Sequence, residues 1–215
     1  MDVFDLLAKG DVGAAEAALD ADPALATARH ASGASLLAWC WYVGRPEAAP
    51  IVRGQLAALD PYDAIIADEI ETVREHLARD WDGNALSPDG FTPLGLAAFF
   101  SRPAIFDLLL PITRDVNERA QNRQQVAAIH AAASSRSPAM IEKLLRAGAT
   151  PDLEQQEGFT ALQAAAMHGD ALSAGVLVLF GADPRRRNAK GETAIDLARA
   201  GGHEWLAERL TSAAR

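Results

Sequence analysis

The chain has 215 residues, 49% of them hydrophobic and 23% charged, a balance that excludes a mainly disordered protein. Ala alone fills 46 positions while aromatics make up 6%, which favours helix over strand and close helix packing over a bulky aromatic core. Twenty Lys and Arg against 29 Asp and Glu leave a net charge of −9, which disfavours nucleic acid as a partner.

Charge is uneven along the chain. Residues 1–80 hold 14 acids and 6 bases, whereas residues 81–215 hold 15 and 14, so the first part would attract a basic partner surface. Cys40 is the single cysteine, which excludes an internal disulfide and a Cys-based zinc site. The opening Met1-Asp2-Val3-Phe4-Asp5 lacks the basic start of a signal peptide, and no run of 18 apolar residues follows. The expectation is a cytoplasmic protein with no membrane partner. Arg outnumbers Lys 17 to 3, the bias of a GC-rich coding sequence, and points to a bacterial source.

The first element is a helix pair over Asp2–Asp20, turning at Gly10-Asp11 and led by Val3. Next, Gly33-Ala34-Ser35-Leu36-Leu37-Ala38-Trp39-Cys40-Trp41-Tyr42-Val43-Gly44 reads as an apolar helix around Leu37. Its companion helix starts near Pro46, and Pro50 restricts how early it can begin. Asp60–Arg79 gives a third pair, led by Tyr62, with Ile70, Val73 and Leu77 as a helical stripe. A fourth unit opens with Gly90-Phe91-Thr92-Pro93-Leu94-Gly95-Leu96-Ala97-Ala98, and a degenerate fifth with Ala127-Ala128-Ile129-His130-Ala131-Ala132-Ala133. Gly158-Phe159-Thr160-Ala161-Leu162-Gln163-Ala164-Ala165-Ala166 and Gly191-Glu192-Thr193-Ala194-Ile195-Asp196-Leu197-Ala198 open the last two. The leading apolar residues Val3, Leu37, Tyr62, Leu94, Ile129, Leu162 and Ile195 are spaced 34, 25, 32, 35, 33 and 33 apart. The interval of 25 leaves no room for a projecting hairpin between residues 54 and 62.

A period of 33, a Gly-x-Thr-Pro-Leu-x-x-Ala-Ala block and endings such as Leu144-Leu145-Arg146-Ala147-Gly148-Ala149 and Leu177-Val178-Leu179-Phe180-Gly181-Ala182-Asp183-Pro184 resemble the ankyrin repeat. The resemblance implies an all-α protein: an ankyrin-repeat solenoid of about seven stacked helix pairs with short β-hairpin fingers. It would be one domain over 1–215, divergent and acidic over 1–80, regular over 81–215. The residues suit these roles physically. Thr92 and Thr160 can cap helices, Pro93 suits a first helical position, and Gly148 and Gly181 suit left-handed helix stops.

No catalytic constellation emerges. The histidines at 30, 76, 130, 168 and 203 include no zincin pair, and Asp80-Trp81-Asp82-Gly83-Asn84 lacks the remaining ligands of a calcium loop. Nucleophile-elbow, Walker and dinucleotide motifs are missing. Cys40, between Trp39 and Trp41, reads as a buried thiol. His130 occupies the family's histidine slot, which the resemblance makes structural. The expectation is therefore a non-enzyme without metal or cofactor.

The resemblance implies that another protein binds the concave face. It maps that face to Tyr42, Val43, Phe91, Phe99, Phe100, Ser134, Phe159, Met167 and His168. Apolar side chains at such positions mark an interface or else pack under neighbouring fingers, and both readings stand. The alternative function is a regulatory factor taking a small ligand or a basic peptide in the groove. The expected state is a monomer.

Overall fold

The computed structural model describes residues 2–214, which form fourteen α-helices and, among the described residues, no strand. They pack as two compact units, one of residues 2–82 and 87–90, the other of residues 83–86 and 91–214.

The first unit holds α1 (Val3–Lys9), α2 (Val12–Ala21), α3 (Leu36–Tyr42), α4 (Ala49–Gln55), α5 (Pro61–Ile66) and α6 (Ile70–Ala78). Short polar side chains start most of them: Asp2, Asp11, Ser35 and Asp60 accept hydrogen bonds from N–H groups of the first helical turn. Leu7, Leu19, Leu36, Leu37, Val52, Ile65 and Val73 are buried at its centre. Tyr62 departs from its expected core role: it is half-buried, its ring edge-on to Trp81 at 5.7 Å. Pro46–Ala48 makes a single 3-10 turn, and α4 then runs from Ala49 to Gln55, so the α-helix begins three residues after Pro46. Residues 56–60 link α4 to α5 without a bridge, as the short spacing requires, and Pro61 opens α5. The loop before α3 closes on one bridge between Arg29 and Ser35. At its tip Gly33 has φ +92°, and a Cβ there would stand 2.2 Å from the Pro88 carbonyl oxygen, so only glycine fits.

The second unit holds α7 (Pro93–Phe99), α8 (Pro103–Leu109), α9 (Ala128–Ser134), α10 (Pro138–Arg146), α11 (Ala161–Met167), α12 (Ala171–Leu179), α13 (Ala194–Ala200) and α14 (Glu204–Ala213). The first helices α7, α9, α11 and α13 stack in succession, and among the second helices α10 packs on α12. The Thr92, Thr160 and Thr193 hydroxyls accept from the N–H groups of Gly95, Gln163 and Asp196, so the capping expected of the threonines is present. Gly148 and Gly181 carry φ of 96° and 97° just past α10 and α12. The fingers differ from the expected β-hairpins. Loops of this length, closed by tight turns, keep one bridged pair each, Arg119 with Ala127 and Glu154 with Thr160, and form no ladder.

Small side chains set the helix spacing here. Ala97, Ala98, Ala132, Ala133, Ala165 and Ala166 show no exposed surface at all. Ala165→Leu should therefore overpack the stack and cost about 2 kcal/mol, read as a lower denaturation midpoint. An unchanged midpoint would mean that this face is not close-packed.

Candidate partner-binding site

The last turn of each first helix positions the side chains singled out from sequence. Phe99, Ser134 and Met167 occupy the same place in α7, α9 and α11, five residues past Leu94, Ile129 and Leu162. All three are exposed, Phe99 at 45% and Met167 at 40%. The helix stack thus puts two large apolar side chains on one surface of the second unit, one repeat either side of a serine.

The neighbouring positions behave differently. Phe100 was expected on the surface but is buried, 4% exposed. It caps α7 with its N–H bonded back to Leu96, and its side chain turns inward with that of Leu96, four residues earlier on the same face. Its ring meets that of Phe99 edge-on at 5.1 Å. His168, Phe91 and Phe159 are half-buried.

Tyr42 and Val43 lie in the first unit and are also half-buried. The Tyr42 hydroxyl donates to Asp89 at 2.9 Å, and burial, then the Asp89 charge, raises its pKa. The residue sequence reasoning missed there is Trp41, 37% exposed in a slot that the regular repeats fill with small Ala98, Ala133 and Ala166. Bulk at an alanine position was the available signal.

The first unit also gathers Asp60, Asp63 and Asp89 around Ser35 and Arg29. Asp60 pairs with Arg29, and Asp63 accepts from the Ser35 hydroxyl at 2.5 Å. Burial, helped by the Asp60 charge, pushes the Asp63 carboxyl up to about 6. A carboxyl raised above its unfolded value stabilises the fold while protonated, and that contribution is lost as pH rises through about 6. Asp63→Asn should therefore match the parent near pH 3, below the ordinary carboxylate pKa, and be about 2–3 kcal/mol more stable at pH 8, the gap opening between about pH 4 and 6. A constant difference across that range would contradict the buried charge.

Other candidate chemistry finds structural employment. Cys40 is buried, its thiol donates to the Leu36 carbonyl at 3.3 Å, and burial pushes its pKa up to about 12. Arg185 pairs with Asp183 and Arg186 with Glu154, while Arg187 donates to the Gly191 carbonyl. That basic run is held by its own loops. A cavity lined by Asn84, Thr92, Leu94, Thr113 and Glu118 amounts to about 10 Å³, room for one water.

Residues 129–214 match the family model described as ankyrin repeats, in three copies. Over 69 residues, 32% of the chain, the protein is 42% identical to the mouse ARF GTPase-activating protein GIT2, covering 10% of that protein. It is 45% identical over 69 residues to human ARF GTPase-activating protein GIT1, covering 9% of it. Over 87 residues, 40% of the chain, it is 31% identical to the mouse inactive serine/threonine-protein kinase TEX14, covering 6% of it. The chain thus spans a tenth or less of the length of these curated relatives. With its capped, stacked helix pairs, the chain carries ankyrin repeats over residues 129–214, and ankyrin repeats are generally protein–protein interaction modules. Among the described residues no helix is long and apolar enough to cross a membrane.

Proposed function

We propose that the protein is a non-enzymatic interaction module of the cytoplasm. Its partner is another protein, held across the last turns of α7, α9 and α11, the face that the family resemblance marks as concave. Phe99 and Met167 are the apolar anchors, with Ser134 leaving space between them. The observation that carries this reading is their shared exposure at equivalent helix positions, while the adjacent Phe100 is packed away. Aromatic and Met side chains are the types that protein interfaces favour at their centres.

The small-ligand alternative lacks support in the cavity described above, which is far below the roughly 300 Å³ of a ligand pocket. The acidic residues 1–80 would tune association rate rather than supply affinity. The test is affinity capture from the source organism with two baits, the parent chain and Phe99→Ser/Met167→Ser. A protein retained by the parent and lost by the variant supports the reading. An identical set on both baits overturns the site.

A further inference from the structure

Helix α12 carries an apolar stripe that is largely exposed among the described residues. Leu172, Gly175, Val176 and Leu179 fall at i, i+3, i+4 and i+7, one face of a helix. The opposite face, with Ala174 and Leu177, is the one already buried in the stack. Leu179 at 81% and Leu172 at 73% are the most exposed large apolar side chains among the described residues, followed by Trp205 at 53%. Trp205 lies 33 residues after Leu172, at the same place in α14, so it extends this outer surface by one repeat. Helix α12 contains no charged residue, whereas the matching positions of α10 carry Glu142, Lys143 and Arg146.

Gly175 is the second anomaly. Glycine is the poorest helix former after proline, yet it stands in the middle of α12. A Cβ at Gly175 would meet nothing within 4 Å, so no contact inside the chain asks for glycine there. A missing side chain at the centre of an exposed apolar stripe admits a close approach by another backbone.

We infer that this face joins two copies of the chain, their α12 helices antiparallel about a twofold axis between Gly175 and Val176. The stripe is self-complementary in that register. Leu172 meets the partner's Leu179, Leu179 meets the partner's Leu172, and each Val176 fills the gap above the partner's Gly175. The charges beside it agree. The positions of Gly175 and Val176 are taken by Glu142 and Lys143 in α10 and by Glu208 and Arg209 in α14. The same axis sets each of these acids against the partner's base of the same pair. Glu142 and Lys143 already pair with Arg146 and Asp107, whereas Glu208 and Arg209 are exposed and form no ion pair among the described residues. Mixed rather than single-sign flanks lower the repulsion between two chains of net charge −9. This surface belongs to the second helices, so it stands apart from the proposed partner face. It replaces the monomer expected from sequence with a dimer.

Sedimentation velocity between about 1 and 100 µM tests the inference. The parent chain should sediment at twice its 22.8 kDa in the upper part of that range. Leu179→Glu and Gly175→Leu, both facing open space, should stay folded by far-ultraviolet circular dichroism and sediment as monomers. Glu208→Arg should weaken the dimer about tenfold, and Glu208→Arg/Arg209→Glu should restore it. A monomeric parent at about 100 µM would overturn the dimer, as would a dimer indifferent to Gly175→Leu. Failure of the charge swap to restore association would overturn the antiparallel register.

Discussion

Replacing His130 with alanine should cost about 3 kcal/mol of folding stability, because it empties a buried site and orphans two backbone groups at once. The ring is 2% exposed. Its Nδ1 accepts from the Ala127 N–H at 3.1 Å, which leaves Nε2 to donate to the Leu153 carbonyl at 2.8 Å. One side chain thereby ties the start of α9 to the loop of the following repeat. Gln163 does the same work one repeat later: its Oε1 accepts from the Thr160 N–H, and its Nε2 donates to the carbonyls of Arg186 and Glu192. His130→Gln should therefore keep most of the lost stability. The two variants also separate in acid. Burial holds the His130 pKa down to about 4, with the Arg119 charge adding to it and the Leu153 bond opposing it. A base lowered in the fold contributes stability above its unfolded pKa of about 6.5 and loses it as pH falls toward 4. Between pH 7 and 5 this group should cost the parent about 2 kcal/mol, and His130→Gln should be spared that loss. Urea denaturation at the two pH values measures both effects. A glutamine variant that falls in step with the parent would show that His130 is not the titrating group.

Phe100→Ser should cost about 4 kcal/mol, whereas Phe99→Ser should cost about 1 kcal/mol or less. The two rings are neighbours in sequence and in space, but only that of Phe100 is enclosed. Phe99 loses one edge-on ring contact on truncation and leaves no cavity behind. Thermal melts of the two single variants decide the point. Equal losses would place Phe99 in the core as well and remove an anchor from the proposed interface. Changing both residues together would be uninformative, since the buried ring alone can unfold the unit.

These two residues also show where sequence reasoning reached and where it stopped. The 33-residue period exposed the repeats, because each copy solves the same packing problem with the same side chains: a threonine cap, a leading Leu or Ile, and paired alanines. The exposure of Phe99 and Met167 followed from their place in that period. Phe100 was misplaced because position relative to the alanines was counted without helical phase, although Leu96 and Phe100 four residues apart signalled one buried face. Trp41 was passed over because exposed positions were sought only after each alanine pair, not at the alanine slot itself, where its bulk stood out. The fingers were overdrawn for a different reason. Turn residues reveal that a loop closes, but not how many bridged pairs lie below the turn. The outer stripe of α12 was legible too, at helical spacing from Leu172 to Leu179. It went unread because an apolar helix is ordinarily taken to be buried on every side.

Phe99, Ser134 and Met167 share one surface of the second unit, and a titration decides whether a partner binds there. A protein captured on the parent chain should be purified and titrated by calorimetry into the parent and into Phe99→Ser/Met167→Ser. Melting temperatures of the two chains should be recorded alongside. Binding should weaken at least about tenfold in the variant, with both chains folded at the working temperature. Equal affinity for the two folded chains would contradict binding at this surface.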